Sequence, residues 1–511
     1  MKVKNRLGEK LGDDWVKGVL SDFGQVVSGG TPKTKVPEYW GEDILWITPA
    51  DLSGYSEKYI YKGRKSITHL GLKNSSARLI PKGSVLFSSR APIGYIAIAG
   101  NELCTNQGFK TLIPSEALNR DFLYYYLKSI KQLAEGRASG TTFKELSGKA
   151  FAELPLCVPP LPEQRAIVSK IEQLFSELDN GIANLKLAQQ QLKVYRQSVL
   201  KKAFEGELTR QWREQQTDLP DAKALLEQIQ VEREESYNEK LDEWKRAVKE
   251  WEDAGKEGKK PTKPKKLKKI EPFTETELAE LPTLPNGYGW TRLGELHHLK
   301  SDKHTGSGES LFYIGLEHIS KNQGTLTDEV KIDVINTVKN SFKKGDLLYG
   351  KLRPYLNKVY LANEDGVCST DILVFESIPS LDLNYSKYYF LSYKFVNDMT
   401  HNSSGVNLPR VSTKYLQEYP FPLFSLEEQQ AIVTEIETRL SVCDKVEQDI
   451  EDNLKIAEAL RQSILKKAFE GKLLNERELE EVRSAPDWEP AEVLLEKIRA
   501  EKAGSGKKGK A

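Results

Sequence analysis

At 511 residues, with 39% apolar and 29% charged side chains, the chain is long enough for several packed units and too apolar for a disordered polymer. A net charge of +1 excludes a global positive field, so contact with nucleic acid has to come from local patches of Lys and Arg. Cys104, Cys157, Cys368 and Cys443 form no CxxC or Cys/His cluster, no run of about 18 apolar residues occurs, and Met1-Lys2-Val3-Lys4 leads into polar sequence; this argues against a zinc site, a disulfide framework, a membrane partner and a signal peptide, and predicts a soluble cytoplasmic protein with reduced thiols.

Residues 1–153 read as a first module of short β-like runs (Ile44–Ile47, Ser84–Phe87, Gly94–Ala99) and one helix, Phe122–Leu133. Two of its loops have the chemistry of DNA readers. Ser28-Gly-Gly-Thr-Pro-Lys-Thr-Lys35 is a flexible, donor-rich turn offering Gly29, Gly30, Thr31, Lys33 and Lys35, and Ser88-Ser89-Arg90 follows a strand and offers Ser89 and Arg90. Arginine suits bidentate contact with guanine, and lysines suit phosphates. Residues 51–100 add eight basic side chains against two acids, with Arg64 and Lys65 at the centre of the patch.

Residues 154–208 read as a long helix entered through Pro159-Pro160-Leu161-Pro162 and ended by Gly206. Ile167, Ile171, Leu174, Leu178, Gly181, Leu185, Ala188, Leu192, Tyr195 and Val199 fall in 4-3 alternation, the spacing of a coiled-coil seam. Residues 209–285, with 16 basic and 18 acidic side chains, read as a charged linker with short helices, including the Lys/Pro run 259–269. A second module follows at 286–418, where Lys303 and the loop Gly350-Lys-Leu-Arg-Pro-Tyr-Leu-Asn357 supply the candidates Lys351, Arg353 and Asn357; asparagine suits adenine. A second long helix occupies 419–473, with slots at Ile432, Ile436, Arg439, Cys443, Val446, Ile450, Asn453, Ala457, Leu460 and Ile464. Residues 474–511 form an extension with a short helix near Ala491–Ile498 and a flexible tail from Gly504.

The two halves are copies. Arg196-Gln-Ser-Val-Leu-Lys-Lys-Ala-Phe-Glu-Gly206 returns as Arg461-Gln-Ser-Ile-Leu-Lys-Lys-Ala-Phe-Glu-Gly471, and the same offset of 265 aligns Glu163-Gln164 with Glu428-Gln429 and Ser139-Gly140 with Ser404-Gly405. Ala222–Ile229 is echoed by Ala491–Ile498, and Tyr124-Tyr-Tyr-Leu127 by Tyr388-Tyr-Phe-Leu391. Two apolar stripes in similar register can bury one another, which predicts an α/β fold with two mixed α/β modules separated by two long helices in an antiparallel intramolecular coiled coil. Packing of each helix on its own module, or homodimerisation, is the alternative.

The ordered set Ser28-Gly-Gly-Thr-Pro32, Ile44–Ile47, Ser139-Gly140-Thr141, Leu154-Pro-Leu-Cys-Val-Pro-Pro-Leu-Pro-Glu-Gln164 and Leu200-Lys-Lys-Ala-Phe-Glu-Gly206 resembles the specificity subunits of type I restriction-modification systems. The resemblance spans 15–208 and 290–473. It implies two target-recognition domains, each reading one half of a bipartite site in double-stranded DNA, and two helices acting as a ruler for the spacer. It also implies two methyltransferase (M) subunits using S-adenosylmethionine and motor-nuclease (R) subunits using ATP and magnesium, with no cofactor bound by this chain. The second module departs from the pattern, with Ser301-Asp-Lys-His-Thr-Gly306 in place of Gly-Gly-Thr-Pro, and the linker is unusually long.

An enzyme would need its own machinery. Val158-Pro-Pro-Leu161 lacks the Asn/Asp and aromatic of an amino-methyltransferase, and Gly504-Ser-Gly-Lys-Lys508 lacks the Ser/Thr of a phosphate-binding loop. Asp365 and Asp371 have no lysine placed with them, and His297-His298 and His304 lack metal-ligand spacing. The chain is expected to be non-catalytic and to carry no metal. The competing readings are the specificity part of a related type IIB or IIG enzyme and a coiled-coil scaffold that binds no DNA.

Overall fold

The computed structural model describes residues 14–90, 92–140, 144–258, 260–264, 270–305, 308, 310–327, 331–376 and 378–508. Expectations resting on Met1–Lys4, Thr141, Gly306, Lys259, residues 265–269 and the last three residues lie outside them. The chain divides into two compact units, 1–186 with 451–511 and 187–450, so that each long helix contributes to both.

The first unit is built on a five-stranded sheet in the order Gly24–Ser28, Phe109–Pro114, Val85–Ser88, Ile96–Ala99, Tyr59–Ile60, antiparallel except at its last pair. The middle strand is buried at every residue because both faces are covered. Val85 and Phe87 pack with Phe122 and Leu123 of the helix Arg120–Ser129, while Leu86 packs with Ile47, Leu52 and Ile80 on the other side. That second layer is a three-stranded sheet, Lys65–Ile67, Trp40–Ile47 and Cys104–Thr105. Val16–Val19 pairs with Pro155–Val158 and so sets Trp15 beside the start of the first long helix, Leu161–Phe204.

Gln164 in that first turn is fully buried, and its three hydrogen bonds explain why it is repeated. Its oxygen accepts from the Asn119 N–H at 2.8 Å, and its amide donates to Ala117 and Pro159 carbonyls. Asn119 caps the module helix, so one side chain ties two helix starts together. The end of the second long helix, Leu426–Phe469, completes this unit: Ile464, Leu465 and Ala468 share a core with Ile167, Ile171 and Phe175. Phe469 closes edge-on against Phe122 and Tyr126, with both centroid distances 5.2 Å.

The second unit repeats the plan. A four-stranded antiparallel sheet runs His298–Leu299, Ile372–Glu376, Leu347–Gly350, Val359–Leu361, beside a five-stranded sheet ordered Lys303–His304, Lys339–Phe342, Gly366–Cys368, Ser310–Ile314, Lys331–Val334. Gln429 accepts from the Asp382 N–H at 3.0 Å, and Asp382 caps the helix Leu383–Phe390. Phe204, at the end of the first long helix, packs on Tyr385 and Tyr389 at 5.3 and 5.0 Å, as Phe469 does on its own pair. Val199, Leu200 and Ala203 meet Ile432, Val433 and Ile436 in one core. Each helix therefore packs against the other within both units, and the two run antiparallel in each, as the stripes predict.

The seam is shifted from the expected slots. Gly181 and Tyr195 are exposed, as are Val446, Asn453 and Leu460, while their neighbours Ile182, Arg196, Glu447, Leu454 and Arg461 turn inward. A straight helix has 3.6 residues per turn and drifts about 20° per heptad from a 3.5-residue repeat, so alternate slots move on by one residue, while Leu185, Leu192 and Val199 and likewise Ile450, Ala457 and Ile464 keep theirs. The slip falls at matching positions in both copies. At the new slots Arg196 donates to Asp444 at 2.7 Å and to Glu447 at 2.9 Å, and Arg461 pairs with Asp179.

The linker expectation is corrected. Beside the expected short helices, Arg210–Glu214 and Glu275–Ala279, residues Ala222–Asp253 form one long helix, capped by Asp221. Leu225 and Ile229 enter the second unit's core, Gln228 bonds Ser380, Arg233 donates to the Glu295 carbonyl, and Lys240 pairs with Glu376. These positions keep a helical spacing, but most are charged or polar side chains that bury their stems, so the apolar signal is missing from the sequence. Part of the Lys/Pro run lies back on this helix: Trp244 donates to the Pro261 carbonyl, and Lys263 and Lys260 sit over Trp244 and Trp251. The last helix, Ala491–Lys508, also continues into the segment expected as a tail.

Candidate nucleic-acid interface

In the first unit the candidate loops converge on the turn Asn106-Gln107-Gly108. The Gly29 and Gly30 N–H groups bond the Phe109 and Thr105 carbonyls, and the Trp46 indole donates to the Gly30 carbonyl at 3.0 Å. A Cβ at Gly29 would lie 1.9 Å from the Asn106 oxygen, and one at Gly30 2.3 Å from the Ala77 nitrogen. Both glycines let backbones approach; Gly30 is buried, which corrects its expected role as a DNA-facing group, while Gly29 stays partly exposed. Thr31 donates to the Gln107 side-chain oxygen.

Ser89 is corrected in the same way. It is fully buried, bonded through its N–H and hydroxyl to the Gly108 carbonyl, because polar groups leaving a central strand need partners. Arg90 emerges beyond it and faces Glu145 at 3.8 Å, and Lys110 lies 3.5 Å from the same carboxylate. Gln107, Lys110 and Glu145 were not legible as site residues; the duplicated Ser139-Gly140 beside them was the available signal.

Two of the remaining candidates, Lys33 and Lys65, meet at Trp40, which packs edge-on to Trp46 at 5.1 Å. The Trp40 indole donates to the Lys33 carbonyl, and the Lys65 ammonium lies 5.5 Å from its ring. Lys33 and Lys35 are exposed, and the Arg64 side chain is 77% exposed although its own N–H is held by Asp51. Two basic segments far apart in sequence thus share one aromatic mount.

In the second unit the corresponding loop is the turn Lys351–Asn357. Its start is tied to Asp371 and Val411, and Arg410 holds Asp371 with two bonds of 3.1 Å. Lys351 lies 3.9 Å from Asp371. Lys303 donates to Asn340, which donates in turn to the Ile372 carbonyl, so this cation is linked to the same strand end. Asn357 is buried, which corrects its expected role as a direct adenine reader. The hairpin Ser403–Ser404 with Arg410–Val411 stands beside the turn, joined by the Leu352–Arg410 bridge, as Ser139 and Glu145 stand beside Arg90. Gly140 and Gly405, one repeat apart, both have positive φ, 121° and 106°.

His297 is a core side chain bonded to the Leu293 carbonyl and Ser386, and burial lowers its pKa to about 3. Burial acts to raise the Glu376 pKa, but bonds from His298 and Lys240 override it and bring the carboxyl down to about 2. Among the described residues no group of three or more His, Cys, Asp or Glu could hold a metal ion, and no helix is long and apolar enough to cross a membrane.

A family model described as the type I restriction modification DNA specificity domain matches residues 12–187 and again 287–456. Among curated proteins, the type I restriction enzyme EcoDI specificity subunit of Escherichia coli is 28% identical over 76% of this chain and 78% of its own length. The EcoKI specificity subunit of E. coli K12 is 23% identical over 98% of both chains. The MjaIX specificity subunit of Methanocaldococcus jannaschii is 42% identical over 35% of this chain, a match that spans 40% of that relative. The fold resembles the HsdS subunit from Thermoanaerobacter tengcongensis (17% identity, TM-score 0.55, 91% of this chain and 98% of that one). It also resembles a chain from a type I R-M system (17% identity, TM-score 0.57, 91% of this chain and all of that one).

Proposed function

We infer function from one premise: the chain belongs to the type I restriction modification DNA specificity family, carrying its domain twice, and is a DNA sequence-recognition subunit. We propose that the modules at 1–153 and 286–418 each read one half of a bipartite site in double-stranded DNA. The surface cations Lys33, Lys35, Arg64, Lys65 and Arg90 of one module and Lys303, Lys351 and Arg353 of the other face the duplex; Gly29, Gly30, Thr31, Ser89 and Asn357 shape the loops that carry them. The observation that carries this reading is the recurrence in both units of one loop arrangement, a turn after the central strand beside a Ser-Gly hairpin, with different side chains on each.

The two long helices, 44 residues each, set the spacer between half-sites, a helix of that length spanning roughly 66 Å. The chain itself is non-catalytic. Two methyltransferase subunits with S-adenosylmethionine and motor-nuclease subunits with ATP and magnesium supply the chemistry, in the cytoplasm. The test is methylome sequencing of cells carrying the assembled system. Exchanging residues 1–153 for another such module changes one half-site only; a change in both sinks the assignment of independent readers. Adding one heptad to both helices changes the spacer and leaves the half-site bases intact, and altered bases overturn the ruler.

A further inference from the structure

The turn Lys351–Asn357 is shaped unlike an ordinary polar loop. A single 3-10 turn, Pro354–Leu356, is bracketed by two non-glycine residues in left-handed conformation, Arg353 (φ 52°) and Asn357 (φ 44°). Arginine rarely adopts that conformation and asparagine tolerates it, so the surroundings impose it at Arg353. In the first unit the position that corresponds to Asn357, two residues before the strand Ile96–Ala99, is Gly94 with φ 93°. Pro354 is buried beneath the turn, and the Arg353 N–H is held by the Pro409 carbonyl at 2.7 Å. Asn357 is 1% exposed, and neither side-chain amide atom has a partner.

The result is a rigid mount for what points outward. The nearby acid, Asp371, is occupied by Arg410 and Lys351, which leaves Arg353 without an ion pair among the described residues. Tyr355 is half-exposed, and the adjoining hairpin tip carries Val406 at 99% exposure together with Leu408. An unpaired guanidinium, a tyrosine and a bare aliphatic side chain thus stand together on one edge, and the aliphatic group gains nothing from water. They suit the floor of a DNA groove, where arginine meets guanine O6 and N7 and an aliphatic group meets a thymine methyl.

Resting on the reading above, we propose that Arg353, Tyr355 and Val406 are the base-reading tip of the second module, contacting base edges of duplex DNA, and that Asn357 is a positioning residue that holds the turn. The test uses the chain assembled with its methyltransferase subunits, reading the modified sequence and the salt dependence of duplex binding. Arg353→Ala relaxes one base position of one half-site by roughly 5- to 150-fold in discrimination. Arg353→Lys keeps the charge and the salt slope but loses the same preference, because a single ammonium lacks the fork. Val406→Ser weakens a neighbouring position of that half-site. Asn357→Ala relaxes the position that Arg353 reads, and Asn357→Gly, which accepts the left-handed backbone, restores it. Uniform weakening over all sequences with a slope reduced by about one marks a phosphate contact and overturns the proposal, as does an unchanged motif in Arg353→Ala. A wild-type complex that modifies no split sequence overturns the underlying reading instead.

Discussion

Arg196 donates to Asp444 at 2.7 Å, and the residues 265 positions away from each, Arg461 and Asp179, form the same pair in the other unit. The arginines occupy seam positions where a straight helix turns inward, and each reaches across to an acid on the opposite rod. Half-exposed pairs of this kind couple weakly. A double-mutant cycle on Arg196→Met and Asp444→Ala, read by urea unfolding, yields a coupling of about 0.5 kcal/mol that shrinks with added salt. Coupling unaffected by salt contradicts an electrostatic origin.

The two duplicated glutamates have different surroundings, which predicts opposite responses to the same change. Burial pushes the Glu163 carboxyl up to about 7, with the Trp15 N–H opposing, Asp14 adding and Arg483 opposing. Its folded pKa lies above its ordinary value of 4.5, so the folded state holds a proton that the unfolded chain has lost. Stability therefore falls as pH rises from about 4.5 to about 7, by an amount on the order of 3 kcal/mol at most. Glu163→Gln keeps an acceptor for Trp15 and raises Tm at pH 8 while matching wild type near pH 5. Glu428 instead receives Arg213 and Thr209, so Glu428→Gln leaves a cation unpaired and costs about 2–4 kcal/mol. Thermal scans across pH decide both; a Tm gain at Glu428 contradicts this account.

Phe204 is nearly fully buried between Tyr385 and Tyr389. Phe204→Ala removes a whole ring from a packed aromatic cluster and lowers unfolding stability by about 3–5 kcal/mol. Denaturant unfolding measures it, and a drop under about 1 kcal/mol shows that the helix end is not anchored there.

Lys33 and Lys65 share the Trp40 mount and carry no base-reading geometry. Replacing both by Ala in the assembled complex lowers duplex affinity for every sequence and flattens the plot of log affinity against log salt by about one unit for each phosphate no longer neutralised. A changed recognition sequence with an unchanged slope assigns them to base reading instead.

The duplication and the long helices are legible in the sequence because repeated residues carry packing. Gln164 and Gln429 hold the helix-capping residues Asn119 and Asp382, and Phe204 and Phe469 fill aromatic clusters. The seam register past Leu178 is not legible, since an ideal heptad and a straight helix diverge only after several turns. Nor is the inward turn of Gly30, Ser89 and Asn357. Small residues look alike on a loop whether they face water or the interior, and only the fold tells them apart: Gly30 receives the Trp46 indole and Ser89 meets the Gly108 carbonyl, while the Asn357 side chain is buried with no hydrogen-bond partner. The start of the helix Ala222–Asp253 is legible through Leu225 and Ile229, but its length is not, because past them arginine and lysine side chains do the docking.

The aromatic ends of the long helices work as plugs, and the ring pairs Phe122/Tyr126 and Tyr385/Tyr389 as sockets. Every half of the chain owns one plug and one socket but never seats its own plug in its own socket. A polypeptide of half this length would therefore be complete only on meeting its twin, each seating its plug in the other, and the long chain amounts to such a couple fused end to end, free to carry two unlike readers.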